Sequence, residues 1–345
     1  MMGSFGRLRA IGLVLAATLV AAGCGGGAGT GGRGGDRDPH RLTVYSGRAE
    51  ELVGPLYERF ERATGIEVAP RYGDSAELAA TIGEEGSNSP AEVFYSQDAG
   101  ALGAVERDGR LRPLPQDLLR RVPPRFRDPR GRWVGVSGRA RVVAYDTRRR
   151  KEGELPDTIF AFTDPRWRGK IGLAPTNASF QAFVSGMRLT VGDARTRAWL
   201  DGVKRNRPLL LDNNIQVLEA IARGEVEVGF VNHYYLYEMR KERPKAPVAN
   251  HFLRPGDPGT LVNVSGVGVL SDTPEARRFA EFLLSVEGQR FFATDTEEYP
   301  LLGGVRPDEA LRPLDQIHGP DVKLGDLGAK LPSTVEKIRA AGLTP

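Results

Sequence analysis

Short β-rich runs that alternate with helix-like segments set the strongest limit on what this chain can fold into. Leu42-Thr43-Val44-Tyr45 precedes a helical stretch, Glu50 to Thr64, where Leu52, Leu56 and Phe60 fall four apart on one face. Gly65 suits the position just past that helix, where a left-handed residue ends it. Ile66 to Val68 reads as the next strand. Glu77 to Glu85 follows as a helix with Leu78 and Ile82 inward, Glu92 to Tyr95 as a strand, and Ala99 to Glu106 as a helix closed by Asp108-Gly109. Strands alternating with helices indicate an α/β unit with a largely parallel sheet. Ligands of such sheets sit beyond the carboxyl ends of the strands, which directs attention to the loops Ser46 to Glu50 and Ser96 to Asp98.

The pattern then repeats. Trp133 to Ser137 and Arg141 to Tyr145 are apolar runs interrupted by Gly138-Arg139. A turn cluster, Asp164 to Gly172, enters a strand. Asn177 suits the cap of a helix carrying Phe180, Phe183 and Met187, and Asn214 starts a similar helix, with Val217, Leu218 and Ile221, ending at Gly224. Helix starts offer free N–H groups and positive dipole to an anion. Val226 to Val231 leads into Asn232-His233-Tyr234-Tyr235. Leu261 to Leu270 is a long apolar stretch holding Ser265-Gly266. Thr273-Pro274 places cap and first-turn residues in order before Phe279, Phe282 and Leu283. Ser333-Thr334-Val335-Glu336 reads as a capping box for a last helix ending at Gly342. The chain leaves one α/β unit, builds a second, and returns.

At the N-terminus, Arg7 and Arg9 precede an apolar run, Ile11 to Ala22, and then Gly23-Cys24. That is the layout of a signal peptide, and the run is shorter than the roughly 20 residues of a membrane span. Cys24 is the only cysteine among 345 residues, which excludes an intrachain disulfide. Its setting resembles a bacterial lipobox, so lipidation of Cys24 is expected; the alternative is a chance cysteine in a cleaved leader. Residues 25–40, rich in glycine, read as a flexible tether. Within them Gly27-Ala28-Gly29-Thr30-Gly31-Gly32 matches a dinucleotide fingerprint, but no strand precedes it and no helix follows. The remainder is long enough for two domains. The formal charge of +4 falls by two once Arg7 and Arg9 leave, and no Lys/Arg block interleaves with aromatics, which argues against nucleic acid as a partner. Hydrolase, zinc-protease and P-loop motifs are missing and the histidines, His40, His233, His251 and His318, are scattered, so an enzyme is not expected.

The adjacent tyrosines have two readings. On a strand, neighbours point to opposite faces, and paired tyrosines are commonly packing residues with wet tips. At a strand-to-helix turn, both phenol oxygens can instead converge on one point.

The chain resembles the ferric-ion-binding proteins of bacterial iron ABC transporters, the bacterial transferrins. The resemblance rests on Val44-Tyr45-Ser46-Gly47, Thr64-Gly65-Ile66, Ser89-Pro90-Ala91-Glu92-Val93-Phe94-Tyr95, Ser137-Gly138-Arg139-Ala140-Arg141-Val142-Val143, Pro165-Arg166-Trp167-Arg168-Gly169-Lys170-Ile171-Gly172, Asn232-His233-Tyr234-Tyr235, Asp257-Pro258-Gly259 and Glu298-Tyr299-Pro300-Leu301. It implies a two-lobe α/β fold of the type II periplasmic-binding-protein kind. The first lobe would take residues 41–138 plus 265–310 and the second 139–264, with residues 311–345 a helical segment packing on both. Hinge strands would fall near Arg139 to Val143 and Val262 to Gly266.

It also implies Fe3+ held by the phenolates of Tyr234 and Tyr235, beside a synergistic anion, phosphate or carbonate, at Asn177, Ala178, Ser179, Asn214 and Asn232. Arg48, Arg139 and Arg141 could assist by charge; ion pairing within the protein is the other reading of each. Hard, highly charged ions prefer anionic oxygen. The first-lobe histidine and glutamate that many family members use are replaced by Ala49 and Gln97, and a third tyrosine used by others is missing near Ala178. That leaves Glu50, Gln97 and Asp98 as candidate ligands by position, or as solvated loop residues. His233 is not expected to be a ligand. The implied role is that of a monomeric, lipid-anchored, exported receptor delivering iron to an ABC permease and its ATPase. A same-fold receptor for a polyamine, thiamine, phosphonate or other anion is the alternative.

Overall fold

The structure is a computed structural model that describes residues 38–344. The expected signal peptide, Cys24 and most of the tether lie outside the described residues.

The first part of the chain forms β1 (Arg41–Ser46), α1 (Glu50–Thr64), β2 (Glu67–Tyr72), α2 (Ser75–Glu85), β3 (Val93–Ser96), α3 (Ala99–Arg107) and α4 (Gln116–Arg120). A long strand, β4 (Trp133–Asp146), then leads to β5 (Ile171–Leu173), α5 (Ala178–Arg205), β6 (Leu209–Leu210), α6 (Asn214–Arg223), β7 (Val228–Asn232), α7 (Tyr235–Glu242) and β8 (Val248–His251). The return comprises β9 (Val262–Val269), α8 (Pro274–Leu283), α9 (Val286–Thr294), β10 (Tyr299–Pro300) and α10 (Asp326–Ala340).

The strands run in the order β2-β1-β3-β9-β4-β7-β5-β6, with β8 and β10 also pairing β4. β1 pairs in parallel with β2 and β3, and β5 with β6 and β7, so each end of the order is a small parallel sheet. Between them β4 and β9 cross antiparallel. β4 pairs with β9 as far as Ala140 opposite Val262, then with β7 from Arg141 opposite Asn232. The two runs that the sequence suggested around Gly138-Arg139 are therefore one strand. It is buried throughout its 14 residues, because it passes from one core to the other with protein on both faces.

Those cores are separate. One gathers Val44, Phe60, Phe94, Trp133, Val267 and Phe279; the other gathers Phe162, Trp167, Phe183, Trp199 and Phe230. α10 packs against both α3 and α5, with Leu327 in the first core and Ile338 and Leu343 in the second. α1 spans Glu50–Thr64, and Gly65 ends it at φ 71°. The last helix begins earlier than its apparent capping box: Ser333 and Thr334 lie inside α10, their hydroxyls donating to the Lys330 carbonyl at 3.1 and 2.8 Å. Pro332 also lies inside α10 and cannot donate to the Gly328 carbonyl one turn back. The Arg107 guanidinium takes that carbonyl instead, at 2.7 Å.

Candidate metal site

β7 ends at Asn232 and α7 starts at Tyr235, so His233 and Tyr234 make the whole turn. The tight turn brings the two phenols together, with ring centroids 4.1 Å apart and ring planes tilted by 32°. Tyr234 is fully buried, and its hydroxyl has no hydrogen-bond partner. Tyr235 is half-buried. Burial raises both phenols above their usual range; beyond that, Tyr235 raises Tyr234 further, while the nearby Tyr234 hydroxyl lowers Tyr235 in turn.

The neighbouring His233 is fixed as a neutral ring. The Ala140 N–H donates to its Nδ1 at 3.2 Å, so Nε2 carries the proton and donates to the Glu297 carbonyl at 3.0 Å. Burial pushes its pKa down to about 3, and the ring stacks on Tyr299 at 4.6 Å. Both nitrogens are engaged, which leaves none to face a metal.

On one side of the tyrosines lies a neutral-donor network. Asn177 caps α5, accepting from the Ser179 N–H at 3.0 Å and the Ser179 hydroxyl at 2.6 Å. Asn214 donates to Asn177 Oδ1 at 3.2 Å and to Ser179 Oγ at 3.3 Å. Arg141 reaches Ser179 Oγ at 3.1 Å, Asn232 Oδ1 at 3.4 Å and the Phe230 carbonyl at 2.6 Å. Burial lowers the Arg141 guanidinium to about 9, with both tyrosines opposing the shift. Ala178 is the first residue of α5 and is buried beside them. The residues read as an anion cradle are therefore assembled in one place, although Asn213, not Asn214, caps α6 by accepting from the Gln216 N–H at 2.9 Å.

On the other side lie Arg48, from the loop after β1, and Arg139, from β4. Both are buried around Glu298, which precedes β10. Glu298 Oε2 accepts from the Ser137 hydroxyl at 2.9 Å, while Oε1 stands 2.9 Å from Arg48 Nη2 and 3.8 Å from Arg139 Nε. These contacts are ion pairs without hydrogen-bond alignment: none of the guanidinium nitrogens of either arginine has an aligned partner. Burial alone would lower Arg48, but Glu298, Tyr95, Tyr234 and Tyr235 together hold it above its usual range. Phenols from the turn between β7 and α7 thus stand close to an arginine from the loop after β1. Tyr95, at the end of β3, is also buried with an unpaired hydroxyl, and burial pushes it up to about 12.

The positional candidates for first-lobe ligands have other placements. Glu50 is exposed in the first turn of α1. Gln97 is half-buried, and its backbone N–H donates to Ser75 Oγ at 2.9 Å. Asp98 caps α3, accepting from the Ala101 N–H at 3.0 Å; burial pushes its carboxyl up to about 6. Among the described residues no group of three or more His, Cys, Asp or Glu side chains is placed to hold a metal. Sequence reasoning missed Glu298 and Tyr95. Tyr95 was within reach, as the end of a parallel strand.

Residues 88–316 match the family model described as bacterial extracellular solute-binding protein. The chain is 34% identical to the major ferric iron-binding protein of Neisseria meningitidis over 303 residues, covering 84% of this chain and 89% of that one. This chain belongs to the ferric-iron-binding family of bacterial extracellular solute-binding proteins. Among solved structures, iron-bound HitA from Pseudomonas aeruginosa superposes with a TM-score of 0.83 at 32% identity, covering 88% of this chain and 99% of HitA. The Trichodesmium protein IdiA (FutA), in complex with iron and citrate, gives 0.75 at 29% identity, covering 88% and 100%. The family member described here therefore has the two-lobe type II binding-protein fold and a place in iron uptake.

Proposed function

We propose that this ferric-binding protein captures Fe3+ between its lobes through the phenolates of Tyr234 and Tyr235 and passes it to a membrane permease driven by an ATPase. A synergistic oxyanion sits in the cradle of Asn177, Ala178, Ser179, Asn214, Asn232 and Arg141, and Cys24 anchors the exported monomer to lipid. The observation that carries this reading is the close pair of phenols, Tyr234 fully buried, with the Arg48 and Arg141 guanidiniums both near enough to interact with them. Ferric iron is small, hard and trivalent, and two phenolates cancel two of its charges. The bound cation holds them deprotonated at neutral pH despite their raised pKa values. The cradle is electrically complementary, since an oxyanion completing the ion's oxygen shell meets Arg141 and the start of α5.

The test is the visible spectrum and affinity of the purified protein with ferric citrate. Phenolate-to-iron charge transfer should colour it, and Tyr234→Phe should weaken binding by roughly a thousandfold or more, since even outer-shell partners cost about 10–100-fold. A colourless wild-type mixture, with the Tyr234→Phe affinity unchanged, would sink the reading.

A further inference from the structure

The first lobe supplies the site with no free carboxylate: Asp98 is committed to a helix cap, Glu50 faces solvent and Glu298 is held between two arginines. Two phenolates leave one charge of a trivalent ion uncancelled. An anionic oxygen is nevertheless available on the tyrosines' own helix. Glu238 lies three residues after Tyr235 in α7, and residues at that spacing share one face of a helix. It is half-buried, and its Oε1 is buried without a hydrogen-bond partner. Burial pushes its carboxyl up to about 8, and Tyr235, Glu298 and Arg48 lie near enough to interact with it electrostatically. Lys241, one turn further on, is engaged with Glu297 at 3.1 Å. A buried, unpaired carboxyl oxygen is costly unless something uses it.

We propose that Glu238 is a third anionic ligand of the ferric ion, supplied from the helical turn of Tyr235 in place of the carboxylate that the first lobe lacks. The inference rests on the ferric reading above. Two phenolates and one carboxylate from a single lobe match the charge of Fe3+, and all three are the hard oxygen donors it prefers. The second lobe then holds the ion on its own ligands, and the first lobe contributes charge around the co-bound anion. Gathering the donors on one rigid turn also limits the ordering needed when iron arrives.

The test compares wild type, Glu238→Gln and Glu238→Asp, each with ferric citrate, by iron affinity, visible spectrum and melting temperature of the iron-free protein. Glutamine keeps the shape and removes the anion. Glu238→Gln should lose about a hundredfold or more in affinity, on the scale of lost metal-site groups. Its charge-transfer band should move to longer wavelength, because iron stripped of a carboxylate draws electrons more strongly from the phenolates. Glu238→Asp keeps the charge on a shorter arm and should fall between the two in both readouts, which covers the case in which the glutamine variant does not fold. A coloured wild type with unshifted bands in the folded variants overturns the proposal, even if affinity falls, since a coordinating carboxylate cannot be lost without moving the band. A colourless wild type overturns the ferric reading itself and the proposal with it.

Discussion

The two polar clusters beside the tyrosine pair are built on different physics. In one, Asn177, Ser179, Asn214 and Arg141 form a chain of aligned hydrogen bonds anchored on the start of α5. In the other, Arg48 and Arg139 crowd Glu298 with no alignment at all. A satisfied network fixes positions before any ligand binds. Buried, unaligned donors each cost about 1–3 kcal/mol, a cost that an oxyanion reaching Arg48 and Arg139 would relieve. The comparison teaches that fixed hydrogen-bond geometry resides in the Asn177 cluster and unaligned positive charge in the Arg48–Arg139 cluster.

The largest effect expected from breaking this contrast comes from Glu298. Glu298→Gln removes the only carboxylate seen pairing with Arg48 and Arg139 among the described residues and leaves two buried cations facing each other. Deleting one partner of a buried ion pair costs about 3–5 kcal/mol, and thermal unfolding should show it. Added phosphate should restore part of the loss by lending the arginines a substitute anion. If Glu298→Gln melts within about 0.5 kcal/mol of wild type, the range of an ordinary surface substitution, the first-lobe cluster is not held by charge.

The second effect sharpens the other half of the contrast. Both phenols are raised by burial, so both carry protons at neutral pH in the iron-free protein. If phenolates hold the iron, binding displaces a proton from each, and a third where Glu238, pushed up to about 8 by burial, also binds, so affinity falls as pH falls. The expected slope is about tenfold per pH unit for each proton, at least about a hundredfold for the two phenols. It is measured by chelator competition between pH 6 and 8, corrected for the chelator's own protonation. A slope near zero would mean that iron is held without phenolate, through anions on the arginines alone.

Much of this architecture could be read from the sequence, and the exceptions share a cause. Local signals were reliable: α1 follows the Leu52-Leu56-Phe60 spacing, Gly65 takes the left-handed position, and Thr273 and Asn177 cap the helices they precede. Signals that depend on distant partners were not. Gly138-Arg139 looked like a break, yet lies inside a strand held by β9 and β10. Ser333 looked like a cap because Ser333-Thr334-Val335-Glu336 has the capping-box spacing, whereas Arg107, far away in sequence, takes the carbonyl that Pro332 leaves free inside the helix. Glu298 was not recognised as part of the site because Ser137, 161 residues away, and Arg48 define its role. The closeness of the two tyrosines was legible because one turn contains both, while the Asn177 group was singled out by the family resemblance together with the helix-start signature.

The smallest effect tests whether the second-lobe network is built for geometry more than for stability. Asn177→Ala removes the α5 cap and the acceptor shared by Ser179 and Asn214. Loss of such a cap costs about 1 kcal/mol, a modest shift in melting temperature. Iron affinity should fall by more than that cost accounts for, because Ser179 and Asn214 lose the atom that orients both toward the oxyanion. The excess should depend on the anion supplied, being large with phosphate or carbonate and small with a chelate that brings its own oxygens. Equal losses across anions would assign Asn177 to the helix alone, and the cradle would then consist of Arg141 and Ser179 without a fixed frame.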